Sequence, residues 1–413
     1  MEEYKDGSLV EGSGGQQYTV IKLINKGGMA YAYEACKTGG EKVFLKAYMD
    51  PTPDPKYYPW FSGYRATQQE IQRRLRPIKS LAVQTLDEFV WDGAYHQVVE
   101  WAPGNDLLAI YEKQIQPSFS AADALNLSAV TVFTLADFHK QSLVHQDLKF
   151  ENFFAVRNDK INMKYEVKII DFDWSFLADK PESCKKTAGT FGYLSPEHIR
   201  GERAVQASDV FTVCGIMLFE LFAGQHPFDS IVANAESQPQ ANELILRTIV
   251  SGRTPKLGDV NPSRTGKVDK RVHDIVHRCF AAKPGDRPKA EDVHKVLLSV
   301  ITGERPKARL VLIGGPGHLK WRIGTKTEFS RAMCTQMFSA PADVVSSIQG
   351  DIEPSSDLTK WYVTPRTGTT NATMLDGIQI TGRTELRPGA SLQIGNPASR
   401  RIGFEVQVEF ENL

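Results

Sequence analysis

Four polar side chains in one stretch of this chain are of types that could do chemistry together: Asp147, Lys149, Asn152 and Asp171. Two carboxylates, an ammonium and a carboxamide at this spacing suit phosphoryl transfer. Asp147 can accept the proton of an attacking hydroxyl, Lys149 can neutralise charge on the transferred group, and Asn152 with Asp171 offers hard oxygens to magnesium. The elements that must position them flank the stretch. Residues 124–140 place Leu127, Val130, Thr131, Thr134, Leu135 and Phe138 on one helical face. Residues 165–170, Tyr-Glu-Val-Lys-Ile-Ile, read as a strand that runs into Asp171-Phe172-Asp173. The predicted frame is therefore helix, loop, strand. The plainer reading of the same frame is a loop whose polar residues are merely solvated.

His145-Gln146-Asp147-Leu148 with Asn152, and Asp171-Phe172-Asp173, resemble the protein kinase family, whose catalytic loop reads H-R-D-L-x-x-x-N and whose metal loop reads D-F-G. The resemblance implies a bilobal α+β fold with ATP and Mg2+ as cofactors. It implies catalytic roles for Asp147, Lys149 and Asn152, and metal binding by Asn152 and Asp171. Other pieces follow in the family's order over about residues 18–300. A strand from Tyr18 leads into Gly27-Gly28-Met29-Ala30, a flap whose N–H groups could approach phosphates, or else only a hairpin turn. Lys46 matches the family lysine that contacts phosphates and pairs with a helix glutamate, and Glu70 is the expected partner. Val98 to Ala102 resembles the hinge, where the backbone at Glu100 and Ala102 would meet the adenine. Asp106 would touch the ribose or cap a helix.

Ser195-Pro196-Glu197 resembles the end of an activation segment. Within that likeness Glu197 would pair with Arg287, Asp209 would hold the catalytic loop, and Thr190 would lie near Asp147 in the manner of serine/threonine kinases. Thr187 and Thr190 are candidate autophosphorylation sites. The loop Thr367–Thr370 is either another such site or only a loop. The chain departs from the family at three places. Gln146 stands for the arginine that binds an activation-segment phosphate, so activity should not depend on such a phosphate through this residue. Asp173 stands for a glycine, restricting the metal loop and adding a carboxylate, and Ala30 stands for the last glycine of the flap.

Composition excludes little and suggests a setting. The 413 residues imply two or three domains, and 49 basic against 49 acidic residues give no net charge to draw nucleic acid or an anionic membrane. Five scattered cysteines without C-x-x-C pairing fit a reducing compartment. The acidic start is no signal peptide, and the longest apolar stretch, Val210 to Ala223, is too short to span a bilayer. A cytoplasmic protein with no nucleic-acid or membrane partner is expected.

Beyond residues 302–308, a polar linker, the chain changes to short alternating runs separated by turn residues, predicting a β-sandwich over 309–413. Trp321-Arg-Ile-Gly324-Thr325, Phe329-Ser330-Arg331, and Asn371 to Gly377 followed by Leu386 to Gly395 resemble a forkhead-associated (FHA) domain, a phosphothreonine reader. That likeness implies phosphopeptide contacts from Ser330, Arg331 and Asn371, although Thr325 stands at the family's arginine and Met333 at its histidine. The expected architecture is a flexible segment 1–15, a kinase domain 16–301 with lobes 16–98 and 103–301, and the FHA-like all-β domain.

The expected function is a serine/threonine protein kinase. Its partners would be a protein substrate, a phosphothreonine-bearing partner and, by family habit, a cognate phosphatase. The alternative is a nucleotide-binding pseudokinase that acts as a scaffold through its FHA-like domain. A small-molecule kinase is disfavoured by Ser195-Pro196-Glu197 and Arg287, which belong to the protein-directed branch.

Overall fold

The computed structural model describes residues 2–49, 52–54, 56, 58–115, 120–158, 164–184, 188–303, 308–338, 342–356, 358–396, 398 and 401–412. The chain divides into two compact units, one ending at Ile301 and one beginning at Thr302.

The first unit opens with an antiparallel sheet of β1 (Leu9–Glu11), β2 (Gln17–Lys26), β3 (Ala30–Lys37), β4 (Lys42–Tyr48), β5 (Thr85–Trp91) and β6 (Ala94–Glu100). Their order is β1-β2-β3-β4-β6-β5. Strand alternation gives the sheet two apolar faces. Val43, Leu45 and Ala47 of β4 share one core with Val10, Val20, Tyr33 and Val98. Tyr48 faces the other way with Ala30, Tyr95 and two rings of helix α1 (Tyr58–Leu75), Phe61 and Tyr64. Lys46 lies two residues before Tyr48, so the pleat turns it to the α1 side, and register sets it opposite Gln97 of β6.

The expectation of a flexible segment 1–15 is corrected by the contacts it makes. β1 pairs with β2 at Leu9↔Thr19. The Tyr4 backbone N–H donates to the Tyr33 hydroxyl at 3.0 Å, and the Tyr4 hydroxyl lies 2.9 Å from Nε2 of buried His96. The Tyr4 and His96 rings stack at 5.9 Å. Burial pushes His96 down to about 4, so it is neutral near pH 7. Glycine and serine content signalled freedom here, and one well-placed aromatic outweighed it.

The rest of the unit is mainly helical, with a few short strands. Ser120 caps the helix Ala121–Lys140 by accepting from Asp123 N–H at 3.1 Å. Leu127, Leu135 and Phe138 from this helix join Phe211, Leu218 and Phe222 of the helix Gln206–Ala223 and Val293 and Leu297 of Ala290–Ile301 in one core. Two of these helices have the length and apolarity of a membrane span. They are 56% and 83% buried within the unit, which is how core helices come to share that composition.

Strands Phe153–Arg157 and Tyr165–Ile169 form a hairpin beside the first helix, with Ile169 opposite Phe153. That register sets the next residues out along both strands side by side, and Ile170 N–H donates to Asn152 O at 2.9 Å. Asn152 and Asp171 are thereby brought together.

In the second unit the expected strands form two sheets over one core. The larger runs in the order Leu319–Ile323, Ala308–Gly314, Arg401–Asn412, Ser391–Asn396, Ala372–Leu375, Ile378–Gln379. The smaller runs Thr327–Phe329, Gly350–Pro354, Trp361–Pro365, Thr384–Leu386. Trp321, Leu392 and Val406 from one face and Phe329, Ile352 and Trp361 from the other meet in the core. The unit is not purely β: the helix Arg331–Phe338 buries Cys334 and Phe338.

Candidate active site

Asp147 and Asn152 sit in the loop that leaves the helix Ala121–Lys140, and the loop is held from below. Buried Asp209 accepts from the His145 N–H at 2.9 Å and the Gln146 N–H at 3.0 Å, and its carboxylate also lies 3.0 Å from His139 Nε2. The His145 ring packs against Phe138 and Phe172 at 5.8 and 5.7 Å. Aromatic pairs of this kind add about 0.5–1.5 kcal/mol beyond area burial, so the loop and Asp171 are tied to the core on both sides. Gln146 adopts a positive φ of 75° and its amide donates to the Trp174 carbonyl at 3.2 Å. A second clamp, far from solvent, joins Arg287 to Glu197 through two bonds of 2.6 and 2.8 Å. Glu197 also accepts from Ser208 at 2.6 Å, the residue next to Asp209, so this pair braces the same platform.

Across the cleft Lys46 Nζ lies 2.6 Å from Asp171 Oδ1 and 2.9 Å from Asp173 Oδ1. The Asn152 amide donates to the Asp147 carbonyl at 2.6 Å, and Asp147 Oδ1 accepts from the Thr190 hydroxyl at 2.7 Å. Burial alone would lower Lys46, and the two carboxylates more than reverse it, so the ammonium is held charged. Burial likewise opposes ionisation of Asp171, but Lys46 foremost, with His145 and Lys149, leaves it below the ordinary carboxylate range. Asp171 is in the left-handed region, φ 66°, a conformation that costs about 1 kcal/mol or more outside glycine and is held here by its neighbours. Its side chain is 39% exposed toward solvent, whereas that of Asp173 is 13% exposed.

The oxygens of Asn152 and Asp171 suit a hard cation that keeps water and substrate oxygens in its shell. Among the described residues no cluster of three or more histidine, cysteine or carboxylate side chains forms a metal cage. Asp147, Asn152 and Asp171 are thereby gathered with Lys46 between the sheet and the helices.

The family described as "Protein kinase domain" matches residues 18–297. The chain belongs to the protein kinase family. It is 30% identical over 237 residues to the probable serine/threonine-protein kinase pknA2 of Bifidobacterium longum, covering 56% of this chain and 29% of that protein. To serine/threonine-protein kinase pkn3 of Myxococcus xanthus it is 24% identical over 302 residues, covering 70% and 50%. The chain thus spans half or less of the length of these curated relatives. Among solved structures the kinase domain of Mycobacterium tuberculosis PknI matches at TM-score 0.50 and 18% identity, over 72% of this chain and 99% of that one, a likeness of fold.

In this kinase the flap of Gly27 and Gly28 is the exposed turn between β2 and β3, with Gly27 N–H on Ala30 O at 2.9 Å. A Cβ at Gly28 would meet nothing within 4 Å, so the turn is open at that point. Met29 instead packs on the Tyr48, Phe61 and Tyr64 cluster. Glu100 ends β6, its side chain paired with Lys168, and half-buried Ala102 follows. Asp106 caps the helix Leu107–Ile110 by accepting from Ala109 N–H at 2.7 Å, the second of its two expected roles. Lys149 is half-buried. Thr187 lies outside the described residues.

Glu70 requires correction: it does not pair with Lys46. Its carboxylate binds Arg73 at 2.7 Å and Arg74 at 2.9 Å, and Arg74 continues to Asp179 at 2.7 Å. Helix phase explains this. Phe61, Tyr64, Gln68, Ile71 and Leu75 form the buried stripe of α1, and Glu70 is about 200° round the helix from Gln68. The inward position is thus Gln68, 3% exposed, which donates to the Phe172 carbonyl at 2.9 Å. That stripe was available in the sequence and points to Gln68.

In the second unit Ser330 is also corrected. It is 4% exposed and its hydroxyl accepts from Met333 N–H at 3.4 Å, at the start of the helix Arg331–Phe338. Arg331 is exposed, with Nε on the Val345 carbonyl at 2.7 Å, and Asn371 donates to the Val344 carbonyl at 2.8 Å. The two accepting residues, Val344 and Val345, are consecutive in the chain.

Proposed function

We propose that this chain is a serine/threonine protein kinase that transfers the γ-phosphate of ATP to a protein hydroxyl. The observation that carries the reading is the convergence of Asp147, Asn152 and Asp171 with a charged Lys46 across one cleft. Bound Mg2+ would screen phosphate charge, with Asn152 and Asp171 as its protein ligands. Asp147 orients the attacking hydroxyl and takes its proton, Lys149 offsets charge on the transferred group, and Lys46 draws the phosphates toward the flap. The Thr190 hydroxyl already bonded to Asp147 supports a serine or threonine hydroxyl as the acceptor. Names of the relatives point the same way.

The decisive experiment is Mg2+-dependent transfer of labelled phosphate from ATP by the native chain and by Asp147→Asn. Label on protein with the first and loss of it with the second is the expected result. ATP-dependent thermal stabilisation with no transfer by either would replace the kinase with a nucleotide-binding scaffold.

The second unit reads as an FHA-like partner-binding module. Arg331, exposed and bonded to the carbonyl next to the one that Asn371 holds, is the cation through which phosphothreonine recognition would run. Calorimetry with a phosphothreonine peptide and with its unphosphorylated twin, on native chain and Arg331→Ala, tests this. The five cysteines are free, which supports work in a reducing compartment such as the cytoplasm.

A further inference from the structure

Lys46 is 9% exposed, and a buried ammonium stays charged only beside a counter-charge. Among the described residues two carboxylates lie within 4 Å of its Nζ, Asp171 at 2.6 Å and Asp173 at 2.9 Å. They are placed differently. Asp171 opens to solvent with 39% of its side chain exposed, whereas Asp173 is 13% exposed and turned under the sheet. The Tyr48 hydroxyl donates to Asp173 Oδ1 at 2.8 Å, and the Tyr64 hydroxyl reaches the same oxygen at 3.5 Å. Burial and then Asp173 itself keep both phenols protonated, so they are donors at any physiological pH. Helix α1 supplies no charge: its inward side chain is the Gln68 amide, on the Phe172 carbonyl at 2.9 Å and the Asp173 carbonyl at 3.5 Å. Glu70 is occupied by Arg73 and Arg74 on another face.

We propose that Asp173 is the positioning residue for Lys46, doing from the metal loop the work otherwise expected of a carboxylate on α1. The residue acts through Lys46 and the inference rests on the kinase reading. The logic is a division of labour between two acids two residues apart. Asp171 remains the open oxygen ligand, and Asp173, anchored by two phenols, keeps the ammonium aimed into the cleft when Asp171 is drawn away. A glycine at 173 would leave a lysine of 11% exposed side chain sharing its single carboxylate with a divalent cation. Gln68 completes the exchange: a glutamate there would place a third carboxylate against the same lysine, and the amide avoids it.

Two readouts test the proposal on the full chain. The first needs no nucleotide: the rate at which an amine-directed acylating reagent labels Lys46 at pH 8.5, followed by peptide mass spectrometry. Asp173→Asn should raise this rate severalfold, because the side chain loses the anchor that holds it under the sheet and away from the reagent, whereas Glu70→Gln should leave it unchanged. The second is steady-state transfer. Asp173→Asn should lower kcat at least tenfold with a smaller change in KM for ATP, and adding Gln68→Glu on that background should recover most of the loss.

Unchanged labelling in Asp173→Asn, or a loss of kcat in Glu70→Gln that matches or exceeds it, overturns the assignment. A native chain that transfers no phosphate sinks the kinase reading, and the labelling comparison still decides the placement of Lys46. Should Asp173→Asn not fold, Gln68→Glu/Asp173→Gly carries the test. Lys46 shielded as in the native chain supports a relocated carboxylate, and Lys46 labelled freely refutes it.

Discussion

Replacing Glu220 by glutamine should stabilise the kinase unit, and more so in alkaline solution. Glu220 lies on the core helix Gln206–Ala223, and its Oε2 is buried without a hydrogen-bond partner among the described residues. Burial first, then Asp229 and Glu151, push its carboxyl up to about 7 from an ordinary 4.5. Tyr111 and Tyr193 face it, both raised by burial and by Glu220, so neither adds charge, and Arg264 lies beyond Tyr111. A carboxyl raised in the folded state contributes fully below pH 4.5 and loses that contribution as pH rises through about 7. At about 1.4 kcal/mol per pH unit between those values, the full loss is about 3 kcal/mol, of which about 2 falls between pH 5.5 and 8.5.

Glutamine carries no such titration, so the gain of Glu220→Gln over the native chain should be about 2 kcal/mol larger at pH 8.5 than at pH 5.5. Amide hydrogen exchange along residues 206–223 is the suitable assay, since it reads the opening of this unit alone. A global midpoint is poorly defined for a chain of two units. A gain that is the same at both pH values would refute the reasoning, and so would a loss.

Three further outcomes are expected. Arg287→Met strands a buried Glu197 and should cost the first unit about 3–5 kcal/mol by urea denaturation. Against the opposing effect of burial, Arg287 and Ser208 hold Glu197 down at about 2. The pair's contribution to the native chain is therefore whole above pH 4.5 and lost only as pH falls through about 2, whereas the stranded carboxyl of the variant is pushed up by burial, so the native-to-variant gap should widen from pH 5.5 to 8. Gly315→Ala should lower the melting midpoint of the second unit by an amount worth about 1–3 kcal/mol. Its φ is +72° and an added Cβ would lie 2.2 Å from the Phe338 carbonyl oxygen. Because Gln146 offers a neutral amide to the Trp174 carbonyl and no cation to a phosphate, phosphatase treatment should change the transfer rate by less than about twofold.

Much of the site was legible because it depends on short, rigid spacings. Asp147 and Asn152 are fixed by a helix end, and Asp171 by the strand that pairs with Phe153–Arg157, so three functional groups follow from two elements. Lys46 was legible as a cation set between apolar neighbours on β4. The partner of Lys46 was not. Choosing Glu70 by residue type ignored helix phase, and the buried stripe through Phe61, Tyr64 and Gln68 would have decided it. The office of Asp173 could not be read locally, since Tyr48, Tyr64 and Lys46 reach it from more than a hundred residues away. In the second unit, alternation announced the strands. The helix Arg331–Phe338 broke into that pattern unannounced, and with it Ser330 turned from a surface donor into a helix cap.

The tie between Tyr4 and His96 also fixes where a working fragment can begin. Residues 18–297 are what this chain shares with its family, yet the sheet does not end at residue 18. A fragment cut there would start with β2 as a bare border, its outward N–H and C=O groups open to any passing chain. It would also uncover the Tyr33 hydroxyl and leave neutral His96, 0% exposed in the intact chain, facing water with an unanswered nitrogen. Such a truncation would be expected to purify poorly, and the remedy is to begin the fragment at or before Tyr4.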